Sequence, residues 1–412
     1  MILGPLLVSL LAQVAPPVVF DPSGPQQPTS LSAPGDPLTP DTVFRVPSGP
    51  RIAKLSMPGS ELVALRISIP VQETLAEAGA GRVLEALGVE RALARATPLG
   101  VTVEGARTQW GISYTVVGTR PDFDFLAYLL REAVAEPQAS EADFERRRLA
   151  LRSEALRTLE TPAGRLAAEL RAAADPGTPP MEGTPASLDR LMPSVIRGLW
   201  GRTHRPQDMT VVVAGDIPDE LLLAAFRDMP EPSSGAVPGP SGTAPPDPRG
   251  STQVLRHWSA EAYLVGDAYN AHAPVVALLI ADRLRAESET FEAEVQLWET
   301  KSGHAIVVLA AAYPGGAVRM RSRVRSVLSE TRSALTAEIV RGSVARVRHR
   351  FLHDARTPAG LVSLVGQHMD ATDESDSARS FLDALDAVTM ESTRAFFVRL
   401  EARTPLRAEV RP

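Results

Sequence analysis

The sequence predicts an α+β fold of two related domains, each an antiparallel sheet packed with helices, and three observations carry that prediction. Alternating strands are followed by long amphipathic stretches without the regular rhythm of a doubly wound parallel sheet. Some strands follow one another after only a few residues, as hairpins do. The element order of residues 51–229 then returns in 251–412, which points to an internal duplication. That duplication rests on element order, without residue-level identity between the halves.

Taken in order, residues 2–12 (ILGPLLVSLLA) are an apolar run too short to span a bilayer. With the small-residue AQVAPP behind them they read as an export signal over 1–15, lacking the usual basic start. The expected location is periplasmic or extracellular. Residues 16–50 hold ten prolines among Gly, Ser, Thr and Asp, and predict an extended, disordered leader. In 51–229, Val63, Leu65, Ile67 and Ile69 alternate with Ala64, Arg66 and Ser68 as a half-buried strand. A helix follows over 75–94, then a strand pair at 101–106 and 111–117. Two long helices are expected at about 122–135 and 140–174, Ser140 and Asp143 capping the second. A helix over 186–200, a strand at 209–217 and a short helix at 219–228 close the unit.

Residues 230–250 (PEPSSGAVPGPSGTAPPDPRG) read as the interdomain linker. The second unit predicts a helix at 273–286, strands around Val295 and at 305–311, and a long helix over 316–338. Further helices are expected at 342–355 and 377–399, with a closing strand at 406–410.

Composition excludes much chemistry. The chain of 412 residues has no Cys, so disulfides, thiolate metal sites and cysteine nucleophiles are out. Only two of its 43 basic residues, Lys54 and Lys301, are lysines, which leaves almost no room for lysine catalysis. A net charge of −6 argues against a nucleic-acid partner. The arginine runs at 146–148 and 319–325 sit among glutamates and read as solvated helix faces. Gly239-Pro240-Ser241-Gly242 lies in the linker, without the strand–turn–helix setting of a nucleophile elbow.

The segment Gly79-Ala80-Gly81-Arg82-Val83-Leu84-Glu85-Ala86-Leu87 follows an alternating strand and precedes the strand pair LGVTVEGARTQWGISYTVVG. Downstream lie Phe144-Glu145-Arg146-Arg147 in a long helix, then His204-Arg205-Pro206-Gln207-Asp208-Met209 leading to a strand that ends in Gly215-Asp216. Over about 51–412 this order resembles the insulinase/pitrilysin family of zinc peptidases, the inverzincins. There the first helix carries H-x-x-E-H: two histidines one turn apart bind zinc and the glutamate activates its water.

The matching positions here read Arg82-Val83-Leu84-Glu85-Ala86. Glu85 is kept, and neither Arg82 nor Ala86 can ligate zinc. The third-ligand region offers Glu145 and Glu154, with the strict register near Arg152. No zinc or other cofactor is therefore expected. Glu85 reads either as a salt-bridged helix residue paired with Arg82 or as a retained contact to substrate or partner. The family's second domain also supplies an Arg/Tyr pair for substrate; the matching residues are Leu297 and His304, or Trp298 and Ala305 in the next register. His304 is the candidate substrate contact, with a structural histidine as its alternative. His349 and His353 lie one helical turn apart beside Asp354, with no glutamate between them and Arg346, Arg348, Arg350 and Arg356 around them. His204, His257 and His272 have no second histidine within helical reach.

The resemblance implies a catalytically silent homologue, a regulatory, structural or peptide-binding subunit beside an active H-x-x-E-H zinc peptidase. Extended peptides are a further expected ligand. The alternatives are a stand-alone exported binding or scaffold protein, and an active zinc endopeptidase with displaced ligands. No integral membrane span is expected.

Overall fold

The computed structural model describes residues 37–99, 101–232, 254–266, 270–285, 291–300 and 303–412. The export signal over 1–15, most of the leader and nearly all of the linker lie outside the described residues.

The first half runs β1 (Thr42–Arg45), β2 (Arg51–Leu55), β3 (Leu62–Pro70), α1 (Ala80–Ala96), β4 (Thr102–Arg107), β5 (Gly111–Thr119), α2 (Phe123–Val134), α3 (Glu141–Glu160), α4 (Pro162–Ala174), α5 (Pro185–Leu188), α6 (Pro193–Thr203), β6 (Thr210–Ala214) and α7 (Asp219–Phe226). The second runs β7 (His257–Val265), α8 (His272–Arg285), β8 (Glu292–Thr300), β9 (Gly303–Ala312), α9 (Ala317–Ser333), α10 (Ala337–Asp354), α11 (Pro358–Thr372), α12 (Ser377–Asp386), α13 (Met390–Glu401) and β10 (Leu406–Val410). The sheets are ordered β1-β2-β6-β3-β5-β4 and β10-β7-β9-β8. Four strands of the first sheet, β6-β3-β5-β4, thus repeat as β10-β7-β9-β8, and the α+β prediction holds. One pairing departs from it: β2 runs parallel to β6, while every other pair is antiparallel.

The halves interlock. Val63, Leu65, Ile67 and Ile69 of β3 pack on Val83, Leu84 and Leu87 of α1 and on Leu126 and Leu130 of α2. The other face of that sheet meets the second half: Ala53, Leu55, Ala64, Val212 and Ala214 share a core with Leu361, Val362, Val365 and Met369 of α11. β3 is therefore buried on both faces, not half-buried as its alternation suggests. In return, Leu166 and Leu170 of α4 pack on Ala260, Ala262, Ala305 and Val307 of the second sheet. Each sheet is covered by a helix from the other half, so packed cores, not an open gap, join the two.

The duplication is also written in residues. Thr161-Pro162-Ala163-Gly164 opens α4 and Thr357-Pro358-Ala359-Gly360 opens α11. In both, the threonine hydroxyl caps the glycine N–H at 3.0 Å, and proline takes the first turn, where its missing N–H costs nothing. A Cβ on Gly164 would collide with the Thr158 carbonyl, and one on Gly360 with that of Asp354.

Several expected boundaries change. The helix over 140–174 is two helices, broken where Thr161-Pro162 ends one and caps the next. Residues 186–200 divide into α5 and α6 at Met192-Pro193, and 377–399 into α12 and α13 at the Thr389 cap. The leader expected to residue 50 ends earlier. β1 pairs with β2, and Leu38 and Val46 are buried, so apolar burial holds residues 38–50 against the sheet despite their prolines. β2, β7 and α11 were not anticipated. Among the described residues, no helix is long and apolar enough to cross a membrane.

Candidate functional site

The site is built at the start of α1, where it meets the edge strand β4 and the loop between α4 and α5. Glu85, one and a half turns into α1, is 3% exposed. Its carboxylate accepts a hydrogen bond from Arg82 Nη1 one turn earlier. The space for it comes from β4, since a Cβ on Gly105 would overlap Glu85 Oε1. Burial holds the Glu85 pKa above its ordinary value, with Arg82 opposing the shift. Arg82 reaches a second carboxylate, Glu182, with Nε 3.2 Å from Oε2, and lies within electrostatic reach of Glu154.

Beneath this pair sits another. Glu73, in the turn after β3, caps α1 from the side by accepting the Gly81 N–H. Its other oxygen is 3.9 Å from Arg107 Nη2 at the end of β4, and both side chains are almost fully buried. Burial raises the Glu73 pKa to about 7, against the pull of Arg107 and of the helix N–H groups. α5 is tied to the same helix start, with Ser187 Oγ donating to the Ala78 carbonyl at 2.9 Å. Arg171 of α4 lies over the Trp298 ring at 4.8 Å, and Glu182 is within electrostatic reach of both Arg171 and Arg107.

Trp298 and Ala305 are cross-strand partners in the β8–β9 hairpin, on the face that receives α4. His304 stands opposite Glu299 in the strand register and lies within electrostatic reach of His368 of α11. Burial lowers the His368 pKa to about 4. In α3, Glu145 is paired with Arg148 at 2.7 Å and Arg152 with Asp189 at 2.7 Å, which leaves Glu154 as the α3 carboxylate near Arg82. His204 is fully buried beside Thr203 and Trp200, and its pKa falls to about 3. His272 bonds Ser392 and stacks on Phe396. His349 and His353 stack on the exposed face of α10, where Arg346 pairs with Asp282 and Arg348 with Asp386.

These donors do not suit zinc. The Arg82 guanidinium, bonded to Glu85, and the Ala86 methyl group offer no lone pair to a metal, and a cation at that point repels a dication. Among the described residues no group of three His, Asp or Glu side chains is placed to hold a metal ion. Glu73, Arg107, Arg171 and Glu182 escaped the sequence reading. They come from four separate segments, and only the fold brings them to one helix end.

No family model and no curated protein sequence matches the chain. Solved structures do. A protease from Helicobacter pylori superposes with a TM-score of 0.77 at 13% identity, over 91% of this chain and 100% of that one. A chain of complex III from Candida albicans, solved with Inz-5 bound, gives 0.68 at 10% identity, over 89% and 95%. An M16-like peptidase from Alicyclobacillus acidocaldarius gives 0.67 at 16% identity, over 89% and 97%. The fold is thus the insulinase-type, M16-like peptidase fold.

Proposed function

We propose that the chain is a non-hydrolytic insulinase-type homologue, an exported peptide-binding or regulatory subunit that works beside an active H-x-x-E-H zinc peptidase. The observation that carries this reading is Arg82. Its guanidinium stands in a ligand position and is bonded to Glu85, the residue that would otherwise activate water. Peptide binding is supported by β4, the edge strand beside this site, whose outer backbone groups have no strand partner among the described residues. An extended peptide adds to such an edge through main-chain hydrogen bonds.

A stand-alone exported binding protein is the second reading. It is favoured by the β8–β9 hairpin, where neither Leu297 with His304 nor Trp298 with Ala305 supplies the Arg/Tyr pair a complementing subunit would lend to its partner. Purification from the native host separates the two, because only the first predicts recovery of an H-x-x-E-H subunit. Elemental analysis with a peptide hydrolysis assay tests both. The expected result is no stoichiometric zinc and no turnover; stoichiometric zinc with hydrolysis abolished by a chelator would establish an active peptidase with displaced ligands.

A further inference from the structure

One loop carboxylate, Glu182, touches Arg82 and is felt electrostatically by two further arginines from other elements. Arg82 projects from α1, Arg107 from the end of β4 and Arg171 from α4, and Glu182 is the acid within reach of all three. Glu182 is exposed, on the loop between α4 and α5, with 56% of its side chain accessible.

Its fit is poor. Arg82 Nε lies 3.2 Å from Glu182 Oε2, yet that buried N–H has no hydrogen-bond partner, because the contact is an ion pair without alignment. Arg107 Nε is a second buried donor without a partner, on a side chain only 4% exposed. The turn after β4 adds two more, Gln109 Nε2 and Trp110 Nε1. Unsatisfied buried donors are costly, and several on adjoining segments point to an acceptor supplied from outside.

The remaining charges leave the cradle cationic. Glu85 is committed to Arg82, and Glu73 lies buried under Arg107, where burial favours its neutral form. Glu154 is within reach of Arg82 alone among the three arginines. Arg171 is held over Trp298, so its planar fork loses little freedom on meeting a carboxylate.

We propose that Arg82, Arg107 and Arg171 form a carboxylate-binding subsite for peptides laid along β4, and that Glu182 is a built-in competitor for it. The inference rests on the peptide-binding reading above and adds the class of ligand: peptides bearing an acidic side chain or a free C-terminus at this point. Bound peptide displaces the Glu182 carboxylate, an exposed side chain that can turn aside while the loop backbone stays packed through Gly183 against Gly79.

The test is fluorescence anisotropy on the full chain with three labelled peptides of one extended, β-prone sequence. One carries an internal glutamate and an amidated end, one is neutral with a free C-terminus, and one is neutral and amidated. At least one carboxylate-bearing peptide should bind about ten-fold tighter than the neutral amide, and which one does so identifies the source. Glu182→Gln should tighten that peptide several-fold and leave the neutral amide unchanged, and Arg171→Gln should erase the preference. Both residues are exposed, and thermal unfolding of each variant separates lost binding from lost folding. Equal binding of all three peptides by wild type and Glu182→Gln overturns the subsite while peptide binding stands. Absence of binding by every peptide overturns both.

Discussion

The two halves share one scaffold and differ in what they bury in it. The face of the first sheet that receives α11 presents Ala64, Arg66 and Ser68; the face of the second that receives α4 presents Ala260, Ala262 and Leu264. In the first, Arg66 is 2% exposed and pairs with Asp370 at 2.6 Å, while Ser68 donates to the same carboxylate at 2.6 Å. In the second, the contact is apolar apart from Arg171 of α4, whose guanidinium lies over the Trp298 ring. The helices after the first repeated strands differ likewise: α1 buries Glu85, whereas every buried residue of α8 is apolar. The second sheet does bury one carboxylate, Glu261 of β7 against Arg407, but α8 itself packs without buried charge, so the fold does not require the ion pairs at the start of α1 in the first half. They are features of that half's own chemistry.

The largest test of this contrast is Asp370→Ala. It strands a buried guanidinium, and breaking such a pair costs about 3–5 kcal/mol. Urea unfolding should show that loss, and replacing Arg66 by Met as well should recover most of it. A loss as small as that of an ordinary surface substitution would erase the distinction between the two sheet faces.

Next in size is the pH dependence set by Glu73. Its pKa is about 7 in the folded chain against 4.5 unfolded, so the folded state holds this proton more tightly. The resulting stability is complete below about pH 4.5 and is lost as pH rises through 7, roughly 3 kcal/mol in all. Glu73→Gln should flatten that part of a stability-against-pH curve measured by urea unfolding.

Arg82→Ala should cost less, about 2 kcal/mol, because Arg82 is partly exposed and the stranded Glu85 can take up a proton. The loss should shrink at pH 5 relative to pH 8, since the neutral acid is the cheaper one to bury. An equal loss at both values would mean that Arg82 acts through packing and not through its charge.

What the sequence made legible follows from the range of each signal. The stripe of α1, the alternation of β3 and the pattern Arg82-x-x-Glu85-Ala86 are local and readable. α11 is not among the predicted elements although Thr357-Pro358 is a helix start; its stripe of Leu361, Val362, Val365 and Met369 finds its partner in the first sheet, far back along the chain. β7 was missed because Glu261 interrupts its apolar run; that carboxylate is buried against Arg407 at 2.8 Å, a partner far along the chain. The arginine cradle was invisible for the same reason: Arg82, Arg107, Arg171 and Glu182 meet only after two helices and an edge strand have docked.

The smallest effect bears on the part of the comparison where the halves agree. Thr161 and Thr357 cap their helices with the same bond at the same 3.0 Å, in the same tetrapeptide. Removal of a threonine cap costs about 1 kcal/mol. Thr161→Ala and Thr357→Ala should therefore destabilise equally, and their effects should add, because the caps belong to separate helices. Thermal unfolding of both single variants and the double variant checks this. Unequal losses would mean that the halves have diverged in their shared architecture as well as in their buried charge, while equal losses place the divergence in the polar residues around α1 and β3.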